Sequence, residues 1–200
     1  MGSNLHMSDK QLIIGLGTGR CGTMSLSKLL TNQTHSHITH EHGEILPWSI
    51  TPEQFNIKLQ AMYNRHAHFV GDVVSYYLPY TDYIIDKTQG NVKFIILKRD
   101  VDQVCDSFMR KTPGRNHWQT GHGRPCRWDQ AFPKFDRAYD KRDAIRNYYN
   151  QYYKLCDDIP IEHKYTINTP DLNVSAKCLQ MLAWLGIKQP VYTKIHSNKI

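Results

Sequence analysis

The amino-acid sequence predicts a single α/β domain with a central parallel sheet flanked by helices. Short apolar runs typical of buried strands alternate with segments of helical periodicity, as in parallel sheets with helices on both faces. A length of 200 residues suits one domain, and the sequence contains no internal repeat and no linker. Ligands of such sheets bind at the carboxyl ends of the strands, so functional residues should follow the strands.

The first half of the chain alternates predicted strands and helices. The strands cover 10–16, 36–41 and 68–74, with helices at 23–32 and 51–66. The second helix has the clearest start, because Thr51 is a suitable N-cap and Pro52 fits the first helical position. The segment 75–86 predicts a helix that is interrupted or begins near Pro79.

The second half continues the alternation. Its predicted elements are a strand at 92–100, a helix at 100–111, a loop at 112–130, a long amphipathic helix at 133–156, a strand at 162–168 and a helix at 175–186. Gly186 is a typical residue just after a helix end. The residues after Gly15, Ile38, Val70 and Leu97 should converge on one site, because they follow predicted parallel strands.

Composition limits the classes of partner and compartment. The formal net charge is +7, but the lysines and arginines are spread along the chain, which argues against nucleic acid and leaves an anionic membrane surface or a small polyanion as a partner. The five cysteines are odd in number and none are spaced as CxxC. This usage predicts reduced thiols in a cytoplasmic protein and argues against a disulfide scaffold or a structural zinc site.

The chain has no predicted membrane span and no predicted signal sequence. No segment reaches the roughly 18 consecutive apolar residues that a membrane helix needs, and no charged, then apolar, then small pattern opens the sequence. We interpret residues 1–6 as an expression scar ahead of a native start at Met7. The domain is therefore expected to cover 7–200.

A glycine-rich segment follows the first predicted strand. Gly17 and Gly22 keep the GxxxxG spacing of a Walker-type phosphate loop, but Thr23 stands where the lysine of that loop belongs. Backbone N–H groups and the following helix N-terminus can still bind a phosphate. The lysine that would bind a γ-phosphate is missing. The segment therefore predicts a nucleotide with a short 5′ chain, with Arg20 against the group to be transferred. A plain strand-to-helix turn is the alternative interpretation.

A second phosphate-binding pattern lies in "FIILKRDVDQVCDSFMR". Arg99 stands at the end of a predicted strand, and Ser107 lies two turns into the next helix. An arginine and a hydroxyl so placed could clamp one phosphate from two sides.

Together these segments resemble the sulfotransferase family. "GTGRCGT" is similar to the 5′-phosphosulfate loop of that family, usually written around PKSGT or PRSGT, and Arg99 and Ser107 match its 3′-phosphate-binding stretch. The end of the chain, "WLGIKQPVYTKIHSNK", is similar to the family's "FLG…NK" ending. Cys21 stands where serine is usual, which removes a hydroxyl donor and keeps the backbone N–H.

The resemblance implies a P-loop-NTPase-like sulfotransferase fold and the donor 3′-phosphoadenosine 5′-phosphosulfate, with no metal required. Sulfuryl transfer would release adenosine 3′,5′-bisphosphate. The implied donor-binding residues are Gly17, Thr18, Gly19, Arg20, Cys21, Gly22, Thr23, Met24, Arg99, Ser107 and Lys199.

A base should accept the proton of the acceptor as it attacks sulfur. Glu41 is our first candidate, since it ends a predicted strand and "HEHGEILP" is similar to the "GEE…P" stretch of the tyrosylprotein branch of sulfotransferases. Asp72, at another strand end, is the second candidate, and His40 is the third. Alternatively, Glu41 orients Arg20 by a salt bridge or caps a turn, and Asp72 is a helix N-cap.

Two further features concern metals and the acceptor. The four histidines between 35 and 42 have no carboxylate–histidine set at helical spacing beside them, so we predict no metal site there. The loop 112–130 carries arginines and two tryptophans, which suits a lid or an acceptor-binding loop. Alternatively, Trp118 and Trp128 pin the loop to the core. The arginines of this loop are Arg115, Arg124 and Arg127.

Three functions fit the sequence at this point. The leading one is a sulfotransferase acting on a hydroxyl or amine of a small molecule, a sugar or a peptide. The second is a P-loop kinase-like phosphotransferase with a degenerate loop, which requires Mg²⁺ and ATP. The third is a non-catalytic nucleotide-binding module, which keeps both phosphate motifs and needs no base.

Overall fold

The computed structural model describes residues 10–49 and 51–194 and contains one five-stranded parallel sheet. The strand order is β2-β3-β1-β4-β5. The strands are β1 Gln11–Leu16, β2 Ser36–His40, β3 Phe69–Val73, β4 Val92–Lys98 and β5 Lys164–Asn168. The α-helices are α1 Thr23–Thr31, α2 Pro52–Tyr63, α3 Thr81–Lys87, α4 Val101–Lys111, α5 Lys141–Asp157 and α6 Ser175–Trp184. Short 3-10 helices cover Ser75–Tyr80, Asp129–Ala131, Ile161–His163 and Thr169–Asn173.

Side chains alternate between the two faces of the central strand and build two cores. Leu12 and Ile14 pack with the apolar faces of α2, α4 and α5, while Ile13 packs with α1 and α6 on the opposite face. Both faces of the sheet are therefore covered by helices, which explains why the inner strands β1 and β4 are mostly apolar and buried. The predicted α/β class with a central parallel sheet is confirmed.

The carboxyl ends of all the strands lie at one edge of the sheet. The chain leaves β1 through α1 toward β2 and β3 on one side, and returns to β4 and β5 on the other side. The strand order thus reverses at β1, which is the position where open α/β sheets form their ligand crevice.

One predicted helix begins later than its sequence pattern indicated. The prediction started at 133, whereas α5 starts at Lys141 with the Asp140 side chain accepting a hydrogen bond from Asp143 N. The preceding residues instead bind the loop 112–130, since Phe135 N donates to Trp118 O and Gln119 Nε2 donates to Ala138 O. Tertiary hydrogen bonds therefore override the helical periodicity of this segment.

The remaining boundaries agree with the predictions to within a few residues. The segment after β3 is a 3-10 helix through Pro79, and α3 begins directly after it. Gly186 has a positive φ of 83° just beyond α6. Across the described ranges, no helix combines the length and the apolarity that crossing a membrane would need.

Candidate active site

The glycine-rich loop forms a tight turn between β1 and α1. Gly17 cannot carry a side chain, because a Cβ atom there would lie 2.5 Å from Cys21 Sγ and 3.1 Å from Leu97 O. Arg20 has a φ of 57°, which is uncommon for a residue other than glycine. Gly19 and Gly22 on either side of it also have positive φ. The loop therefore holds a sharply curved backbone around Arg20.

Helix α1 begins directly at the end of this loop without a side-chain cap. Gly22 occupies the N-cap position, and the first turn of α1 contains no acidic residue. The N–H groups of a first helical turn have no partner within the helix, and the helix dipole favours an anion there. The start of α1, directly after the glycine-rich loop, is therefore suited to bind an anion such as a phosphate.

Arg20, Arg99 and Ser107 lie together although they come from three parts of the chain. Arg20 Nε donates to Ser107 Oγ at 3.1 Å, and Arg99 Nη1 donates to Arg20 O at 2.8 Å. Arg99 Nε also donates to Gln103 Oε1 at 3.0 Å. The two predicted phosphate-binding segments therefore meet at one place, beside the loop.

The charge of this cluster favours an anionic ligand. Burial lowers the pKa of the Arg20 guanidinium, and the positive charge of Arg99 lowers it further. Two guanidinium groups this close repel each other in a half-buried site, and an anion near both would relieve that repulsion.

Tyrosines of α5 hold the backbone on which these residues stand. Tyr148 OH donates to Thr18 O at 3.3 Å, Tyr149 OH donates to Arg99 O at 2.7 Å and Tyr153 OH donates to Leu97 O at 2.7 Å. Burial raises the pKa of each of these phenols, so they remain neutral donors. The sequence indicated an amphipathic helix here, but it contained no signal for this supporting role.

Glu41 follows β2 and faces the loop from the opposite side. Its backbone has a φ of 51°, and its N–H donates to Val73 O at 3.3 Å. Burial raises the pKa of the Glu41 carboxyl above its ordinary value, and the nearby Asp72 charge raises it further, against the opposing effects of His40 and Arg20. A carboxylate with a raised pKa is a better proton acceptor near neutral pH.

His40 stands between Glu41 and the start of α1. Its Nε2 lies 2.9 Å from Thr23 Oγ1 and 3.9 Å from Glu41 Oε1. The imidazole thereby connects the strand end that carries the carboxylate with the helix that begins at the glycine-rich loop.

Asp72 is buried under the turn that carries Glu41. Its carboxylate accepts hydrogen bonds from Thr39 Oγ1 at 2.9 Å, Val73 N at 3.0 Å, His42 N at 3.2 Å and Tyr77 OH at 3.3 Å. The residue is 1% exposed. These four donors occupy the carboxylate and fix the backbone of the turn after β2.

Cys21 is buried beneath the loop. Burial raises the pKa of its thiol to about 11, so the group is a neutral thiol at physiological pH. Its side chain belongs to the core on the α1 and α6 face. All five cysteines are free thiols.

One cavity lies between the glycine-rich loop, the ends of the strands and the loop 112–130. Its volume is about 280 Å³. Five of the residues predicted to bind the sulfate donor line this cavity together with Glu41 and His40. Gly17, Thr18 and Cys21 belong to the same loop, but they are buried. Its lining comprises Gly19, Arg20, Gly22, Thr23, Met24, His40, Glu41, Ser75, Phe108, Thr112, His117, Trp128 and Phe132.

The other half of this cavity is aromatic, and it begins beside the glycine-rich loop, where Phe108 lies against Gly19. Phe108 lies on α4, and Trp128 and Phe132 come from the irregular segment that follows. Trp118 is fully buried and pins the loop 112–130 to the core, while Trp128 both packs on the core and lines the cavity. Arg115, Arg124 and Arg127 are exposed.

Sequence reasoning missed several residues of this aromatic half. Phe108 and Thr112 are spaced i, i+4, and Thr112 N donates to Phe108 O at the end of α4, so helical periodicity after Ser107 could have indicated them. His117 and Phe132 had no such signal, because only the folding of the loop brings them to the cavity.

Two further predictions concern Lys199 and the histidines between 35 and 42. Lys199 lies outside the described residues. His35, His37 and His42 are exposed, and they do not form a metal-ligating group with other described residues.

Comparisons with known proteins identify the fold. No family model matches the chain, and no curated protein matches it either. A sulfotransferase structure from Alicyclobacillus acidocaldarius is similar to the chain with a TM-score of 0.56 and 16% identity, over 96% of this chain and 86% of that one. The sulfotransferase domain from the curacin biosynthetic pathway is similar with a TM-score of 0.56 and 14% identity, over 90% and 75% of the two chains. The chain has a sulfotransferase-like fold, as its two phosphate motifs predicted.

Proposed function

We propose that this protein is a sulfotransferase that moves a sulfuryl group from 3′-phosphoadenosine 5′-phosphosulfate to a hydroxyl or amine acceptor. The observation that carries the proposal is the cavity, in which Arg20 of the phosphate loop and the Glu41 carboxylate face the same space. A binding site for the phosphosulfate and a base for the acceptor are the parts that sulfuryl transfer requires. The fold of the chain is consistent with this class of reaction.

The donor would be bound at its two phosphate ends. We assign the 5′-phosphosulfate to the loop Gly17–Met24, whose N–H groups and Arg20 supply positive charge. We assign the 3′-phosphate to Arg99 and Ser107, in keeping with their contacts to Arg20 and the loop. Arg20 would turn from Ser107 toward the phosphosulfate when the 3′-phosphate engages Ser107.

Glu41 is the base in this proposal. The acceptor oxygen would lose its proton to the Glu41 carboxylate and form a bond to sulfur, while the bond from sulfur to the bridging oxygen breaks. Negative charge then develops on the 5′-phosphate, where Arg20 and the loop N–H groups would neutralise it. We place Asp72 second because its carboxylate already accepts four hydrogen bonds, and His40 third because it binds Thr23.

No metal enters the proposed reaction. Walker-type loops hold Mg²⁺ together with a γ-phosphate, and they use a lysine where this chain has Thr23. Arginine and backbone dipoles would supply the positive charge instead.

The test compares two nucleotides on the metal-free protein. Adenosine 3′,5′-bisphosphate without metal should raise the melting temperature, by the equivalent of about 2.7 kcal/mol at 100 times its dissociation constant. ATP with Mg²⁺ should stabilise less, because position 23 cannot reach a γ-phosphate. Equal stabilisation by both ligands, or a strict requirement for Mg²⁺, would contradict the proposal and favour the kinase-like alternative.

Activity is then measured by incubating labelled donor with a panel of hydroxylated and amine acceptors. Transfer of label to any acceptor supports the enzyme. Binding of the bisphosphate with no transfer to any acceptor class would favour the non-catalytic nucleotide-binding module.

A further inference from the structure

A group of metal-ligating side chains lies beside the aromatic half of the cavity, in the loop 112–130. His117 Nδ1 is 2.6 Å from Asp129 Oδ1 and 3.9 Å from Cys126 Sγ. The nitrogen, sulfur and oxygen atoms of these three residues all lie within 4.8 Å of one another. One ring nitrogen thus faces both a thiol and a carboxylate. Among the described residues, this is the one group of three or more His, Cys, Asp or Glu side chains arranged in this way.

The turn that carries the sulfur and the carboxylate is held by its own hydrogen bonds. Cys126 N donates to Asp129 Oδ2 at 2.7 Å, and Asp129 N donates to Cys126 O at 3.0 Å. Trp128 N donates to Cys126 Sγ at 3.4 Å. A carboxylate fixed by a second donor is oriented as metal ligands commonly are.

His117 is fixed from the other side. It is 4% exposed, and its ring stacks on Phe132 at 5.3 Å between centroids with an angle of 15° between the planes. Lys134 Nζ donates to both His117 O at 2.7 Å and Asp129 O at 2.8 Å, and so ties the two ends of the group together. Cys126 and Asp129 are half-buried, which leaves an entry path for an ion from solvent.

We propose that His117, Cys126 and Asp129 form a zinc-type transition-metal site that cross-links the two ends of the loop 112–130 beside the cavity. Tetrahedral Zn²⁺ with ordinary bond lengths holds sulfur and nitrogen ligands about 3.5 Å apart, close to the observed separation. The His117–Asp129 hydrogen bond would open to admit the ion. A thiolate and an imidazole select a softer ion than Mg²⁺ or Ca²⁺.

Binding at this site would release a proton. The Cys126 thiol loses its proton to solvent and becomes a thiolate, while His117 binds through Nδ1 as a neutral imidazole whose one N–H is then at Nε2. Three protein ligands leave the fourth position of the ion to water. Because His117 and Trp128 also line the cavity, the ion would set the shape of its aromatic half. The inference stands independently of sulfuryl transfer.

The first experiment titrates Co²⁺ and then Zn²⁺ into the full chain after removal of metals by a chelator. We expect one ion per chain, a thiolate-to-cobalt charge-transfer band, and displacement of cobalt by zinc. Cys126→Ser should abolish the band and weaken zinc binding by about a hundredfold or more. Cys178→Ser is the matched cysteine control, and His122→Asn, in the exposed part of the same loop, is the histidine control.

Cobalt binding without a thiolate band, or a band that survives Cys126→Ser, would overturn the proposal. A second readout uses trypsin, for which Arg115 and Arg127 are exposed sites in the loop. Zinc should slow cleavage at these sites several-fold in the parent protein and leave the rate in Cys126→Ser unchanged. Equal cleavage with and without zinc in the parent protein would show that the ion does not fasten the loop. Neither readout involves donor or acceptor, so failure here is distinct from failure of the proposed activity.

Discussion

The two halves of the cavity are built in different ways. The half around Arg20 and Glu41 stands on the ends of regular elements, namely the carboxyl ends of β1 and β2 and the start of α1. The half around Trp128 and Phe132 stands on an irregular segment held by packing against α5 and by hydrogen bonds within the loop. We assign the first half to the donor and the chemistry and the second half to the acceptor.

This difference indicates why the residues of the first half can be predicted from local sequence patterns, whereas most residues of the second half cannot. Phosphate groups are bound by backbone N–H groups, arginines and hydroxyls, which require a fixed backbone and therefore a local pattern. An acceptor bound by aromatic surface requires only side chains of suitable shape, which can come from any part of the chain. Variants in the two halves should therefore affect different kinetic constants.

The largest expected effect is that of Glu41→Gln. This substitution keeps the shape of the side chain and removes its basicity, so the turnover rate should fall by about 10²–10⁴-fold. Binding of adenosine 3′,5′-bisphosphate, measured by calorimetry, should be unchanged. Glu44→Gln, an exposed carboxylate three residues away, is the matched control and should retain activity.

The opposite result would move the base. If Glu41→Gln stays fully active while Asp72→Asn is inactive yet folded, Asp72 is the base despite its four hydrogen bonds. If both variants retain activity with a proven acceptor, His40 becomes the candidate.

Arg99→Ala should act on the donor alone. Its contact with a 3′-phosphate would be equal in the ground and transition states, so its loss should raise the Michaelis constant for the donor by about 10- to 100-fold and spare the turnover rate. Arg124→Ala, at an exposed position, serves as the control for lost charge. A large fall in turnover with unchanged donor affinity would instead mean that Arg99 acts by holding Arg20 O.

Trp128→Ala should act on the acceptor alone. Loss of aromatic contact area should raise the Michaelis constant of an aromatic or sugar acceptor by roughly tenfold. The dissociation constant of adenosine 3′,5′-bisphosphate should stay the same. Trp128→Phe, which keeps an aromatic ring, should recover most of the loss. A change in donor affinity of equal size would remove the distinction between the two halves.

The smallest expected effect is on stability, and it has a defined sign. Because the pKa of Glu41 is raised above its ordinary value of 4.5 in the folded protein, the folded state binds that proton more tightly than the unfolded state. The contribution of Glu41 to stability therefore declines as pH rises from 4.5 through the raised pKa. Glu41→Gln should have a higher melting temperature than the parent protein at pH 7, and the difference should shrink toward pH 4. A lower melting temperature at pH 7 would mean that Glu41 forms a stabilising ion pair with Arg20.

The sequence by itself determined the α/β class, the order of strands and helices along the chain, and the proximity of Arg20, Arg99 and Ser107. These features follow from periodicity and from short spacings, because parallel strand ends share one edge of a sheet. It also indicated Glu41 as a residue that faces the same space as the glycine-rich loop, since that residue directly follows a strand.

Only the tertiary structure decided the rest. The start of α5 moved to Lys141 because Phe135 and Ala138 bind residues of the loop 112–130. Asp72 ends a strand as Glu41 does, yet burial and four donors occupy its carboxylate, and no local pattern separates the two residues. His117 and Phe132 reach the cavity through packing between segments distant in sequence, which residue spacing cannot encode.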